Sequence, residues 1–330
     1  MGLVLLLPSL TQAKDILKIA AVGDVMIGTR EPLTEEEGSR LFSACRGFLK
    51  SSDVAFFNYE GVLTSLETSE RETVEGKEFV FKAPPGYGKF LAMAGFNMAS
   101  IANNHINDFD LEGKEETMET FGKLGITFSG PPGMLAHLDV RDLKVVMIAF
   151  APYYHSHYLL DIKAARKLVS RLAGKNDIVI VSMHGGSEGE EAVRTPLEME
   201  FYHEEERGEL VKFARAMVDA GADLVLGHGP HVPRAMEVYK ERLIAYSLGN
   251  FRTLKGFRIS GRAGYAPLLL AELDRAGRLV GGRVISFIQT YGRPLRRDPR
   301  NRAARLIHEL GVLDFPDSNA LDKKGMLTGY

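Results

Sequence analysis

Apolar residues recur along this chain in short, β-branched runs separated by longer stretches with helical spacing. The runs 17–22, 54–57, 97–101 and 126–128 read as strands, and 145–150, 178–183 and 224–226 are strongly apolar and β-branched, as buried strands should be. Between them, 39–50, 87–94, 111–124, 162–172 and 205–220 read as helices, with Gly95 and Gly125 as stop signals. Residues 79–81 are short and extended before Pro84. After Gly227 the character changes, and 235–239, 243–246, 267–273 and 280–288 suggest antiparallel strands joined by short turns. A last helix is expected over 302–310, followed by a loose polar tail. Strands alternating with helices, then a β-rich half, fit two packed sheets flanked by helices. That is an α/β architecture with one domain over 15–290 and a C-terminal helix and tail over 291–330.

The 330 residues are 45% hydrophobic and 25% charged, which places the chain among ordinary globular proteins rather than disordered or membrane-spanning ones. A formal net charge of -2 lacks the global basic signature of a nucleic-acid binder, so no nucleic-acid partner is expected. Cys45 is the single cysteine; it excludes an internal disulfide and a thiolate-held zinc, and reads as a buried, inert thiol. Leu3 to Leu7 form an apolar run broken at Pro8, and Thr11-Gln12-Ala13 resembles a small-x-small cleavage site before Lys14. That is the later part of a secretory signal without its positive n-region. Either translation begins upstream of Met1 or the run is incidental. The first reading is favoured, which makes 1–14 a partial leader and the product exported, periplasmic or at the cell surface, with membrane association left open. No later segment reaches the ~20 apolar residues that span a bilayer.

Five clusters share one plan, an apolar strand followed by a ligand-type side chain, and strand carboxyl ends are where α/β sheets place their sites. They are Val22-Gly23-Asp24, Phe57-Asn58-Tyr59-Glu60, Ala102-Asn103-Asn104-His105, Met183-His184-Gly185-Gly186 and Gly227-His228-Gly229-Pro230-His231. Gly-Asp alone is also a common turn, and a lone histidine at a strand end is more often a satisfied core or surface group. A carboxylate after two phenylalanines, however, is costly to bury unless paired or metal-bound. In the fifth cluster the glycines and Pro230 exclude a helix, so both histidines are expected on a tight loop, able to converge on one ion. Two carboxylates, an asparagine and four histidines at strand exits point to a divalent cation, and mixed N/O donors without thiolate suit Zn, Mn, Fe or Mg. Elsewhere, His155 and His157 line a cleft or lie on a surface loop, His203 sits at a solvated helix start, and His137 and His308 have no cluster around them. The basic run Arg293, Arg296, Arg297, Arg300, Arg302 and Arg305 reads mainly as a solvated face.

In order and spacing these motifs, with Gly221-Ala222-Asp223 and Tyr246-Ser247-Leu248-Gly249-Asn250-Phe251, resemble the CapA/PgsA family of capsule and poly-γ-glutamate biosynthesis proteins. That family is related to calcineurin-like metallophosphoesterases. The resemblance implies a four-layer α-β-β-α sandwich and a metal-dependent hydrolase acting on a phosphoester or a γ-glutamyl amide in an anionic polymer, beside membrane-bound synthase components. The alternative it leaves is a non-catalytic assembly or export factor that keeps the fold. It further implies one or two divalent ions held by Asp24, Glu60, Asn104, His184, His228 and His231, with His105 as the general acid or oxyanion contact. Asn58, Asn103, Glu188 and Asn250 would orient the ligands or meet the substrate. Two departures stand out: Met26 occupies the position where phosphoesterases carry a histidine ligand, and His228 and His231 are one residue further apart than usual.

Overall fold

The computed structural model describes residues 16–29, 31–71 and 79–329. The expected leader falls on 1–14, outside the described residues.

Two sheets stack face to face. The first runs Arg296–Arg297, Leu279–Ile288, Tyr265–Leu273, Leu17–Met26, Val54–Tyr59, Met98–Ser100, Thr127–Ser129, with Asn250–Thr253 paired to the end of Leu17–Met26. The second runs Met236–Tyr239, Arg242–Ala245, Leu224–His228, Ile178–His184, Leu143–Ala151, Ala136–Val140, with His157–Tyr158 beside Leu143–Ala151. Strand alternation sorts the side chains into layers. Leu17, Ile19, Ala21 and Phe56 meet Met147, Ala149, Ile180 and Leu226 between the sheets. Their neighbours Ala20, Val22, Ala55 and Phe57 face outward onto Phe90 and Leu91 of helix Gly88–Ala94 and Phe121 of helix Asp110–Lys123. On the other side Val179, Val181 and Val225 face helices Ile162–Ala173 and Leu210–Asp219, packing on Val169, Phe213 and Met217. The result is a four-layer α-β-β-α sandwich. Each fully buried Leu or Phe contributes about 1.5–3 kcal/mol.

The central strands of both sheets are parallel, so their carboxyl ends collect along one edge. Asp24 pairs in register with Asn58 and with Asn250, Asn58 with Ser100, and His184 with His228.

Several elements differ from expectation. The first strand does not stop before Asp24 but continues to Met26, because Asn250–Thr253, unrecognised in the sequence, supplies a partner beyond the register shift there. The helix expected at 39–50 is two: Glu35–Arg40, started early by a Thr34/Glu37 capping box, and Arg46–Lys50. Ala136–Val140 is an additional strand, hairpin partner of Leu143–Ala151. The stretch 205–220 is not one helix: Glu205–Gly208 is a strand paired with Glu200–Tyr202, and the helix begins at Leu210. The tail is not loose. Ala320, Leu321 and Leu327 join the inter-sheet core, and Asn319 and Met326 bridge to Glu237 and Arg283. Cys45 is fully buried, and burial pushes its thiol up to about 12, as an inert core thiol requires.

Candidate metal centre

Asp24 sits where two chain segments press against it. Its N–H donates to the Gly249 carbonyl (2.8 Å), and a Cβ on Gly23 would lie 1.8 Å from that same oxygen, so only glycine admits the close approach. Glu60 follows the Val54–Tyr59 strand, with its N–H on the Val25 carbonyl (3.0 Å). Asn58 joins the two acids: its Nδ2 donates to Asp24 Oδ1 (2.9 Å) and Glu60 Oε2 (3.2 Å). Asn103 Nδ2 in turn donates to Asn58 Oδ1 (3.2 Å) and to the Tyr59 carbonyl (2.8 Å), which fixes the bridging amide. All four side chains are buried.

The opposite sheet contributes imidazoles. His228 ends its strand rather than lying on the loop expected for both histidines, and its Nδ1 is 3.3 Å from Asp24 Oδ1. His231 is on the loop, in the left-handed region at φ 60. The turn that aims it depends on Gly229, at φ 112, whose Cβ would stand 2.5 Å from the Gly185 carbonyl. His231 Nδ1 lies 3.0 Å from Asp24 Oδ2, and its Nε2 lies 3.6 Å from Glu60 Oε1 and 3.7 Å from Glu188 Oε2. His184 is fully buried beside His228 in register.

The charges are far from their solution state. Burial opposes ionisation of Asp24, but contacts with His228 and His231 outweigh it and hold the carboxyl far below the usual range. Burial, then the neighbouring Asp24 charge, push Glu60 well above it. Burial opposes the His231 cation too, yet Glu60, Asp24 and Glu188 raise it to about 10. Burial, then nearby Arg207, hold His184 well below the normal imidazole value.

The donor set fits a divalent cation. Asp24, Glu60 and His231 each place a ligand atom within 4.8 Å of the others. Glu60 Oε1, Asn104 Oδ1, Asn250 Oδ1 and both ring nitrogens of His184 and His228 are buried without a hydrogen-bond partner. A neutral imidazole offers one lone-pair nitrogen, so His184 and His228 together with the three oxygens present buried acceptor atoms that a cation would satisfy.

A cleft of about 610 Å³ opens beside this group, and Asn104, His105, Glu188 and His231 line it. His105 Nδ1 contacts the buried Asp108 carboxylate (2.8 Å), which also accepts from the Phe81 N–H (2.7 Å) and pairs with Arg71. The His105 ring packs on Phe81, with centroids 4.3 Å apart. Of the other candidates, His155 is half-buried with Nε2 on the Asn103 carbonyl (3.0 Å), which helps fix the neighbouring asparagines. His157 is buried away from the cleft, satisfied by the Gly133 N–H and the Ala149 carbonyl. His203 is exposed at the rim.

Two residues, one buried behind His105 and one on the cleft wall, escaped sequence reading. Asp108, three residues after His105, was signalled only by that spacing. Arg207 was hidden inside the supposed helix at 205–220. It is 1% exposed, its Nη1 lies 2.8 Å from Glu188 Oε1, and its guanidinium stacks toward Tyr153 and Tyr202.

Comparison with known proteins agrees on the family. The family described as bacterial capsule synthesis protein PGA_cap matches residues 18–253. The PGA biosynthesis protein CapA of Bacillus subtilis (strain 168) is 27% identical over 260 residues, covering 73% of this chain and 64% of that protein. The capsule biosynthesis protein CapA of Bacillus anthracis is 26% identical over 257 residues, covering 71% and 59%. The alignment thus spans about three fifths of the length of these curated relatives. Among solved structures, a 5'-nucleotidase precursor from Thermus thermophilus is similar at TM-score 0.44 and 13% identity, over 83% of this chain and 55% of that one. A purple acid phosphatase from yellow lupin is similar at TM-score 0.43 and 10% identity, over 87% and 55%.

Proposed function

Because the chain belongs to the bacterial capsule synthesis family PGA_cap, we propose that it serves an exported anionic polymer as a metal-dependent hydrolase, cleaving a phosphoester or a γ-glutamyl amide bond. The observation that carries this reading is the set of bare, buried ligand atoms opening onto a cleft with its own proton-transfer group. Asp24, Glu60, His228 and His231, with Asn104 and His184, would hold one or two divalent ions (Mn, Zn, Fe or Mg). Such an ion supplies Lewis acidity, polarising the scissile centre and acidifying water.

The rest falls to side chains of the cleft. Asp108 accepts from His105 Nδ1, which sets the tautomer and leaves Nε2 as the ring nitrogen available for transfer. With both ring nitrogens protonated, His105 would give its Nε2 proton to the leaving group, or a hydrogen bond to the charge that develops, and return to the Nδ1–H form that Asp108 holds. Phe81 and Phe257 shield that ring from water and so strengthen each charge interaction around it. The protein would act outside the cytoplasm beside membrane-bound synthase components, with no nucleic-acid partner.

The test is turnover of simple phosphoesters and of poly-γ-glutamate with Mn, Zn and Mg. Metal-dependent hydrolysis is expected, abolished in His184→Ala and lowered about 10²–10⁴-fold in His105→Ala. Turnover indifferent to metal and to both substitutions would sink the hydrolase.

Met26 favours a second reading. Instead of a ligand it packs with Phe81, Phe257 and Ile259, its sulfur accepting from the Gly28 N–H (3.1 Å). A centre with fewer ligands suits an assembly or export factor that keeps its ion for structure. Co-purification with synthase components, with metal bound but no turnover, would select that reading.

A further inference from the structure

A second cavity, of about 370 Å³, shares no lining residue with the cleft. It lies on the helix-layer side of the first sheet, lined by Leu33, Leu41, Leu254 and Pro294 as apolar wall and by Arg40, Arg252 and Arg293 as cations. Arg252 is the anomaly. It is 6% exposed, its Nε is buried without a partner, and its guanidinium makes no hydrogen bond or ion pair with any of the described residues. Burial pulls it down to about 10, with only the Cys45 thiol opposing. A buried cation without a counter-charge is strongly destabilising, and replacement by an apolar group of similar volume ordinarily costs nothing.

The other charges around the cavity do not relieve it. Among the described residues one carboxylate lines it, Glu37, and its Oε2 serves the helix cap, accepting from the Thr34 N–H (2.9 Å) and hydroxyl (2.8 Å). Arg40 pairs with Glu36 (2.7 Å) on the exposed helix face. Arg293, on the loop opposite, is exposed and forms no ion pair with the described residues. The cavity therefore holds surplus donors over an apolar floor, the reverse of the metal centre, where acceptors are in surplus. Arginines lining one space, with Arg252 buried and unpaired among the described residues, match the oxygens of a carboxylate or phosphoryl group. The leucines and Pro294 match a short aliphatic body, and the volume suits a small molecule.

We propose that this cavity is a binding site for a small organic oxyanion, a carboxylate or phosphoryl group on a short apolar stem, with Arg252 as its buried anchor and Arg293 closing over it. The site does not depend on the metal centre or on hydrolysis. It does share a chain segment with the cleft: Arg252 and Leu254 line this cavity, and Gly256, Phe257 and Arg258 line the other.

The test uses the full chain, stripped of metal so that the cleft cannot capture the probe. Butylphosphonate, butyrate and inorganic phosphate are titrated by calorimetry, and the Arg252 Nε–H resonance is followed by NMR. Butylphosphonate should bind with 1:1 stoichiometry and shift that resonance. Arg252→Met should weaken binding at least about tenfold, and Arg293→Ala about threefold, since tenfold corresponds to one good charge-assisted contact. Tighter binding of butyrate than of butylphosphonate assigns the head group as carboxylate, and the reverse order as phosphoryl; inorganic phosphate should bind more weakly than butylphosphonate. Without ligand, Arg252→Met should melt no lower than wild type. Equal binding by wild type and Arg252→Met, or an unmoved Nε–H signal at saturation, overturns the proposal. If Arg252→Met does not fold, the Nε–H shift and Arg293→Ala decide alone. Mn binding at Asp24 should be unchanged in both variants, which separates failure here from failure of the hydrolase reading.

Discussion

On the first sheet, Asp24, Asn58, Glu60 and Asn103 are tied side chain to side chain, whereas on the second, among the described residues, neither ring nitrogen of His184 has a hydrogen-bond partner and His228 reaches only Asp24, at 3.3 Å. The acid half is braced before any ligand arrives: one amide spans two carboxylates and a second amide fixes the first. The imidazole half is held by strand register, by packing such as the contact between His228 and Phe56, with ring centroids 5.5 Å apart, and by the single Asp24 carboxylate that His228 and His231 approach at 3.3 and 3.0 Å. Each bare buried polar atom costs about 1–3 kcal/mol. The folded chain alone does not recover that cost on the histidine side, so the asymmetry locates where ligand binding returns free energy. On the proposed reading, the acids would set the position of the cation and the histidines would gain from its arrival.

Breaking the acid half should have the largest effect. Asp24→Asn removes the charge that both His228 and His231 approach, and metal affinity should fall by more than about 100-fold, since even residues that only orient ligands are worth 10–100-fold. Elemental analysis and Mn titration check this; retained stoichiometric metal would show that Asp24 is not central. Asn58→Ala removes no expected ligand but unties Asp24 from Glu60, so its affinity loss should fall within that 10–100-fold range. If Asn58→Ala binds as wild type does, the brace is decorative and the comparison between the halves fails.

A pH titration sharpens the same contrast without mutation. In the metal-free protein the folded value of His231, about 10, lies above the imidazole's unfolded value of about 6.5. Its contribution to stability is complete below about pH 6.5 and is lost as pH rises through 10. Glu60, also raised, acts in the same direction, because its ionisation is favoured in the unfolded chain. His184 is lowered, so it opposes folding only as pH falls below its unfolded value and is silent above it. Denaturation of the metal-free chain should therefore show stability declining from pH 7 to 9. Saturating Mn should flatten that decline, because the ion takes the place of the proton. A decline as steep with the ion as without it would place the metal away from His231.

Much of this was legible in the chain because strand ends are marked twice, by an apolar run and by the polar residue that stops it. Val181-Ser182-Met183-His184 and Leu224-Val225-Leu226-Gly227-His228 carry both marks. What stayed hidden depends on pairing between distant segments. Nothing local in Asn250-Phe251-Arg252-Thr253 announces a strand; it becomes one because the Leu17–Met26 edge beyond Asp24 is free to take it. Arg207 was lost because Glu204-Glu205-Glu206 looks like the acidic first turn of a helix, while Gly208, at φ 108, ends a hairpin there instead. The tail looked loose because Ala320, Leu321 and Leu327 are too sparse to show a period, yet each fills the end of the inter-sheet core.

The smallest effect tests whether the cleft wall takes part in binding or in chemistry. Arg207 holds Glu188 by one nitrogen and stacks toward two tyrosines, Tyr153 at 6.0 Å and Tyr202 at 5.7 Å. Glu188 turns its other oxygen to His231 Nε2 (3.7 Å), so Arg207 contacts the centre through that carboxylate, while its charge also acts on His184. Arg207→Lys keeps the charge and loses the planar contacts, which are worth about 0.5–1 kcal/mol. KM should rise about threefold with kcat unchanged and metal affinity intact, because the wall shapes substrate binding while the braced acids still fix the cation. A fall in kcat, or weakened Mn binding, would move Arg207 from the wall into the centre, and the division between a rigid acid half and an open histidine half would then need a third, cationic component.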